Sequence, residues 1–267
     1  MMNGIALGQY IPAKSFVHGL DPRCKVLITI VSMVAIFMSD GLYSMTLWAL
    51  LLPIIVHLSK IPFSAILRSA KPVLFLILFT SLLHIFWTPG DIIFTLGPIG
   101  IAVQGIMTAI KLSLRLLFLV MYASILTLTT SPSELSDGLE LMLSPFKKIG
   151  FPAHETAMMM TIALRFIPTL FEETDRIMKS QASRGADFDT GGLVKRAKSY
   201  IPILIPMFVL IFQRADTLAS AMESRCYRGG IGRVRMYPLK WRYKDSAVLS
   251  IFIFFALIIL FVNRMAG

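Results

Sequence analysis

Residues Ala247–Val262, AVLSIFIFFALIILFV, run without a charged side chain and with a single hydroxyl. Their apolar residues form a block with no alternation. A strand facing lipid on one side is therefore the wrong template, and a helix the right one. Four further blocks share the character: Val26–Met38, Leu42–Leu58, Val73–Trp87 and Leu112–Leu128. Crossing about 30 Å of hydrocarbon at ~1.5 Å per residue takes roughly 20 residues, so each block must draw on its polar flanks. The first is short, and needs Ser39 or a local thinning of the bilayer. The expected fold is an all-α integral membrane protein with about five transmembrane helices, accompanied by long amphipathic cytoplasmic helices. Whole-chain composition agrees, with 56% hydrophobic and 15% charged residues and a mean hydropathy of +0.74.

Basic residues set the expected orientation. Lys14, Arg23 and Lys25 precede the first block, and Lys60, Arg68 and Lys71 link the second to the third. The intervening linkers, 39–41 and 88–104, hold Asp40 and Asp91 but no Lys or Arg. The N-terminus is thus expected in the cytoplasm of a bacterial cell, with the protein multi-pass in the plasma membrane; Arg264 runs against the pattern. A formal charge of +11 fits anionic lipid headgroups on the cytoplasmic side better than nucleic acid, which needs basic and aromatic residues together on a soluble domain. Membrane lipid is therefore an expected partner, and nucleic acid is not. Cys24 and Cys226 both fall on the cytoplasmic side and are expected as free thiols. Residues 1–23 contain no apolar core of the kind a cleavable signal peptide has.

The chain divides into residues 1–130 with about four spans, residues 131–245 as a coupling insert, and residues 246–267 with the last span. The insert carries 17 of the 26 basic residues and most of the acidic ones. It opens on Ser131-Pro132-Ser133-Glu134, a capping box with proline at the first helical position, and its first helix should stop at Pro145. A second helix is expected from near Pro152 to Arg184, with Met158, Ile162, Phe166, Leu170 and Ile177 on one stripe and a kink at Pro168. A third is expected from about Leu193 to Arg225, interrupted by Pro202 and Pro206. Its middle, Ile201–Phe212, could dip into the membrane but is too short to cross.

Both long helices close on a similar triplet: Ser183-Arg184-Gly185 and Ser224-Arg225-Cys226, with the arginines 41 positions apart. An arginine in a last helical turn answers the helix dipole, and a glycine after it supplies a left-handed cap. Capping alone does not account for Cys226, nor for each arginine lying seven after an apolar stripe residue, Ile177 or Leu218. An arginine fork makes bidentate contacts with carboxylates or carbonyls, so the triplets read equally as two prongs for a partner. Methionines Met158, Met159, Met160, Met178, Met207 and Met222 populate the insert, and such side chains suit either a membrane core or a surface that re-packs against different partners. Lys111 and Arg115 sit inside the fourth span at i, i+4 without an acidic partner in the spans, and a structural role is expected for them.

No catalytic or metal-ligating constellation is present in the sequence. His18, His57, His84 and His154 are scattered, and the metal, nucleophile and phosphate-loop motifs are missing. Glu172-Glu173 and the pair Asp187 and Asp189 read as a solvated face and a turn.

On these residues the chain resembles the transmembrane (T) component of energy-coupling factor transporters, the EcfT/CbiQ family. The carriers are Gly8-Gln9-Tyr10-Ile11-Pro12, Leu20-Asp21-Pro22-Arg23-Cys24-Lys25, and Thr129-Thr130-Ser131-Pro132-Ser133-Glu134-Leu135. To these are added Ala182-Ser183-Arg184-Gly185-Ala186-Asp187 and Ala221-Met222-Glu223-Ser224-Arg225-Cys226-Tyr227. Ser183, Ser224 and Cys226 depart from the family's Ala-Arg-Gly pattern, while both arginines remain. The resemblance implies a coupling subunit of an importer for vitamins or other micronutrients. Two cytoplasmic ABC ATPases, each binding ATP and magnesium, would receive Ser183-Arg184-Gly185 and Ser224-Arg225-Cys226. A substrate-binding S component would meet the surface around Met158, Met159, Met178, Met207 and Met222. The chain itself would bind no cofactor and catalyse nothing. It looks closer to a component shared by several vitamin S components than to a dedicated cobalt or nickel version. A secondary transporter with its own substrate site, or a membrane enzyme, remains the alternative.

Overall fold

A computed structural model of the chain describes residues 10–96, 99–150, 152–186, 188, 192–229 and 239–266. They fall into two compact units, one of residues 1–142 with 238–267, the other of residues 143–237.

The first unit begins with α1, Pro22–Phe37, whose Asp21 cap accepts a hydrogen bond from the Arg23 amide at 2.9 Å and whose Pro22 opens the helix. Helix α2, Leu42–Ser59, ends on Lys60 in the left-handed conformation at φ 54°. Helix α3, Phe63–Trp87, starts ten residues ahead of the block Val73–Trp87, because Arg68, Lys71 and Pro72 interrupt its apolar run without breaking it. Strands β1, Ile92–Leu96, and β2, Ile99–Ala102, form an antiparallel hairpin where the sequence reads only as a linker. Helices α4, Val103–Thr129, and α5, Pro132–Leu143, follow. The capping box forms as expected: Glu134 N–H donates to Ser131 Oγ at 3.3 Å, and Ser131 N–H to the Glu134 carboxylate at 3.2 Å. The last helix of the chain, α9, Tyr243–Ala266, returns to this unit.

The second unit has a 3₁₀ turn at Ser144–Ile149, then α6, Ala153–Ser183, α7, Leu193–Ser199, and α8, Ile201–Ser224. Helix α6 continues through Pro168. The expected single third helix is instead two. Tyr200 separates them, Pro202 falls in the first turn of α8 where its missing N–H costs nothing, and Pro206 is carried inside α8.

Among the described residues, five helices are long and apolar enough to cross a membrane: α2, α3, α4, Arg196–Ser224 and α9. Helix α1, with 16 residues, rises only about 24 Å and is not among them. The number matches the expectation; by length and composition 196–224 qualifies and the segment Val26–Met38 does not. Ile201–Phe212 alone is too short to cross, as expected, but Leu218, Met222 and the alanines of Ala215–Met222 lengthen the apolar run. The chain is an all-α membrane protein carrying one two-stranded hairpin.

Between helices surrounded by lipid, association rests on close packing and interhelical hydrogen bonds more than on water exclusion. The core of the first unit shows both. Trp48 is fully buried, stands edge-on to Tyr122 at 5.3 Å, and donates Nε1–H to Ser39 Oγ at 3.3 Å. Tyr122 O–H in turn donates to the Trp48 carbonyl at 3.0 Å, joining α4 to α2. Phe252 and Ile259 of α9 and Ile36 of α1 complete the same cluster. Phe75, Leu78 and Phe79 of α3 face outward, as lipid-facing residues do.

Helix α3 meets α4 through Gly105, where a Cβ would sit 2.8 Å from the His84 carbonyl and 3.1 Å from that of Ile85. Backbone atoms cannot rotate aside as a side chain can. Gly105→Ala is therefore expected to destabilise the unit by about 1–2 kcal/mol, overpacking outweighing the helix propensity gained. Thermal unfolding of the detergent-solubilised protein measures it, and an unchanged midpoint would show that the two helices can part without loss.

Arg115 has the acidic partner that no span supplies. Its Nη2 donates to Asp40 at 2.5 Å and to the Ser39 carbonyl at 2.8 Å, and its guanidinium lies over Phe37. It thereby ties α4 to the connection between α1 and α2, a structural role. Helix α9 is fastened at both ends to the same N-terminal segments. Asp245 accepts hydrogen bonds from the Asp21 amide at 3.0 Å and the Arg242 amide at 2.8 Å. At the far end, Asn263 Oδ1 accepts from the Asp40 and Gly41 amides and its Nδ2 donates to the Met38 carbonyl. Lys25, buried, donates to the carbonyls of His18 and Thr129 and so closes the end of α4. Cys24 and Cys226 are both free.

Candidate coupling site

The two triplets adopt one backbone geometry. At the end of α6, Gly185 N–H bonds the Ala182 carbonyl and Ala186 N–H the Gln181 carbonyl, both at 3.0 Å, with Gly185 at φ 88°. At the end of α8, Cys226 N–H bonds the Glu223 carbonyl at 2.8 Å and Tyr227 N–H the Met222 carbonyl at 3.0 Å, with Cys226 at φ 55°. Each is a Schellman closure, the left-handed residue following the arginine. Cys226, a residue ill suited to a left-handed cap, nonetheless takes the glycine position and bears the strain of a Cβ there. The reason lies in the hydrogen-bond pairing, which satisfies the last carbonyls of α8 whatever the side chain.

The agreement extends to the arginines. Arg184 sits at φ −91°, ψ 8° and Arg225 at φ −91°, ψ 14°. Ser183 Oγ donates to the carbonyl four residues back at 3.0 Å, and Ser224 Oγ does the same at 2.7 Å. Both arginines are exposed, and among the described residues neither enters an ion pair. Two solvated guanidinium groups, unpaired among the described residues, are thus held at two equivalent helix ends.

Helices α6 and α8 pack antiparallel. Tyr227 O–H lies 3.5 Å from His154 Nε2, Thr174 Oγ1 donates to Met207 Sδ at 3.2 Å, and Arg214 Nη2 donates to Glu173 Oε1 at 3.0 Å. Because each triplet closes the C-terminal end of its helix, the antiparallel arrangement carries the arginines apart in opposite directions. Between the helices runs an apolar groove of about 270 Å³, lined by Ile162, Phe166, Leu170, Ile211, Leu218 and Met222 among others. Of the methionines singled out in the sequence, Met222 lines this groove and Met207 contacts Thr174 of α6. Met159 is exposed, while Met158 and Met178 are half-buried. The five do not form one face.

Glu173 departs from its reading as part of a solvated face, since it pairs across the helices with Arg214. Arg214 stands 41 positions further along the chain, so no local pattern marks the pair. Asp175 does behave as a surface group: a hydrogen bond from Lys179 at 2.5 Å holds its carboxyl below the usual range. Asp187 and Asp189 lie outside the described residues. No group of three or more metal-ligating side chains occurs among the described residues.

The family model described as "Cobalt transport protein", CbiQ, matches residues 13–238, which contain both triplets and the whole second unit. A relative from Thermanaerovibrio acidaminovorans, named energy-coupling factor transporter transmembrane protein EcfT, is 51% identical over 98% of this chain and 98% of its own length. Proteins of the same name from Heliobacterium modesticaldum and Bacillus subtilis are 52% and 43% identical, covering 93% and 98% of this chain and 93% and 100% of their own. With the family model covering 13–238 and the relatives alike along nearly the whole chain, the chain belongs to the CbiQ family as a transmembrane component of the energy-coupling factor transporter kind.

Proposed function

We propose that the chain is the mechanical link of an ATP-driven micronutrient importer: the second unit docks two ABC ATPases, and the membrane-embedded surface carries a substrate-binding S component. The observation that carries this reading is the identity of the two helix ends. A single docking event needs one presented arginine, whereas two equivalent partners need two, held alike and apart. Ser183-Arg184-Gly185 and Ser224-Arg225-Cys226 each seat in one ATPase, the arginine forking onto carboxylates or carbonyls of its groove.

ATP and magnesium belong to the ATPases, and this chain binds no cofactor and catalyses no step. Closure of the ATPases on ATP moves the two helix ends relative to each other. The helices carry that movement to the S component, whose reorientation releases its vitamin cargo inside the cell. Met207 and Met222, with the groove between α6 and α8, form the centre of the S-component contact, and Met158, Met159 and Met178 on other faces of α6 extend it. Their thioethers adapt to partners of differing shape. The N-terminus and the polar ends of the coupling helices α6 and α8 lie on the cytoplasmic side, in keeping with the basic residues, while the apolar run Ile201–Phe212 dips into the membrane without crossing it.

The test is a pull-down from native membranes with a tag on this chain and mild extraction. Two ABC ATPases and at least one small membrane protein are expected to come with it. A chain that emerges alone and moves a substrate in liposomes would overturn the proposal and make it a secondary transporter.

A further inference from the structure

Resting on that reading, we infer that Glu173 and Arg214 are positioning residues: their ion pair is the pivot about which the two docking arms are held. Three observations carry this. First, the pair joins α6 to α8 directly, Arg214 Nη2 donating to Glu173 Oε1 at 3.0 Å, and both side chains are largely shielded, 23% and 30% exposed. Arg176, the other cation near that oxygen, is 4.0 Å away and 73% exposed.

Second, the pair stands at equal distances from the two prongs. Arg184 lies eleven residues beyond Glu173, and Arg225 eleven beyond Arg214. Eleven residues rise about 16 Å and make close to three full turns, so each docking arginine shares the helix face of its pivot residue. Because the helices run antiparallel, two arms of equal length leave the pair in opposite directions. A push on either arginine acts on the same point with the same leverage.

Third, among the described residues the pair is the charged contact between α6 and α8, beside the neutral hydrogen bonds of Thr174 with Met207 and of Tyr227 with His154, and each helix carries a proline nearby. Pro168 lies five residues before Glu173 in α6, and Pro206 eight before Arg214 in α8. Each proline removes one backbone hydrogen bond from its helix. On the other side runs the apolar groove, to whose lining Arg214 itself contributes. Apolar surfaces slide without a preferred register, whereas a hydrogen-bonded ion pair has one. The pair thus fixes which residues of α6 and α8 stay opposite each other while the arms move.

The experiment uses the complex of the full chain with its copurifying ATPases and S component. Thiol-independent nitroxide labels at the exposed positions Ser180 and Thr217 report the distance between the arms by pulsed electron resonance, with and without ATP and vanadate. The parent protein is expected to give one narrow distance that shifts on trapping. Glu173→Gln is expected to broaden the distribution at least twofold and to lower ATP-driven uptake at least fivefold, with the ATPases still bound. The exchanged pair Glu173→Arg with Arg214→Glu is expected to restore both, and a thermal midpoint of Glu173→Gln equal to the parent's separates the effect from bulk folding. An unaltered distance and unaltered uptake in Glu173→Gln would overturn the inference, as would an exchanged pair no better than either single change. If no ATPases copurify with the parent protein, the functional proposal falls. The distance measured on the chain alone would then still decide whether the pair holds the helices.

Discussion

Replacing Arg184 and Arg225 together with alanine is expected to abolish ATP-driven uptake while the membrane helices stay folded. The fold is indifferent because neither arginine enters an ion pair among the described residues, and both Schellman closures are made by backbone atoms that alanine leaves in place. The loss of coupling follows from desolvation. A guanidinium that leaves water for a protein groove is stabilised there by paired acceptors, and its truncation leaves those acceptors buried and unmatched. Losing one such partner costs about 2–5 kcal/mol, a factor of roughly 30 or more in affinity per site. With both sites altered, the ATPases should no longer copurify. Arg184→Lys and Arg225→Lys should each fall between, since a lysine keeps the charge but lacks the planar fork. The measurements are ATPase recovery in a pull-down, uptake in proteoliposomes, and the thermal midpoint of the isolated chain. Undiminished uptake by the double variant would refute the two-prong reading.

What could be read in the sequence was local. The capping box at Ser131 and the stop at Pro145 depend on residues within a few positions of one another, and both appear where expected. The triplets were legible for the same reason, although the left-handed Cys226 was not, because no propensity favours cysteine there. Helices α3 and α4 begin nine to ten residues ahead of their apolar blocks, since polar residues in the first turns of a helix lower hydropathy without ending the backbone ladder. The hairpin of β1 and β2 lies in a segment whose short length gave no period to count. Distance along the chain hid the rest. Arg115 finds Asp40 seventy-five positions away, outside any span, and Glu173 finds Arg214 only because two helices happen to cross. A search restricted to charges inside apolar blocks overlooks both.

Asp245→Leu is expected to have the largest effect on the fold itself, because of where its two oxygens point. The residue is 2% exposed and lies in the first turn of α9. One oxygen caps that helix by accepting from the Arg242 amide, and the other accepts from the Asp21 amide at the start of α1. Its own backbone carbonyl accepts from Cys24 Sγ at 3.4 Å. Leucine fills similar space, so no cavity opens, but two amides lose their acceptor. The Asp21 amide is buried, and a buried donor without a partner costs about 1–3 kcal/mol; the Arg242 amide is only part-buried and adds less. Asp21 is drawn in as well, since its carboxylate holds Arg23 in a two-pronged pair at 3.1 and 3.0 Å and loses the neighbour that fixes its backbone. Asp245→Asn should lie between, because its amide oxygen can serve only one of the two donors. The asymmetry of the site predicts an asymmetric result: Asn263→Leu, at the opposite end of α9, leaves the Asp40 and Gly41 amides near the surface, where water can replace the lost acceptor. Thermal unfolding of the three variants in detergent should therefore rank Asp245→Leu as the most damaging, with Asp245→Asn and Asn263→Leu milder. Equal midpoints for Asp245→Leu and Asn263→Leu would mean that the two fastenings of α9 contribute alike, and that burial at the α1 end adds nothing.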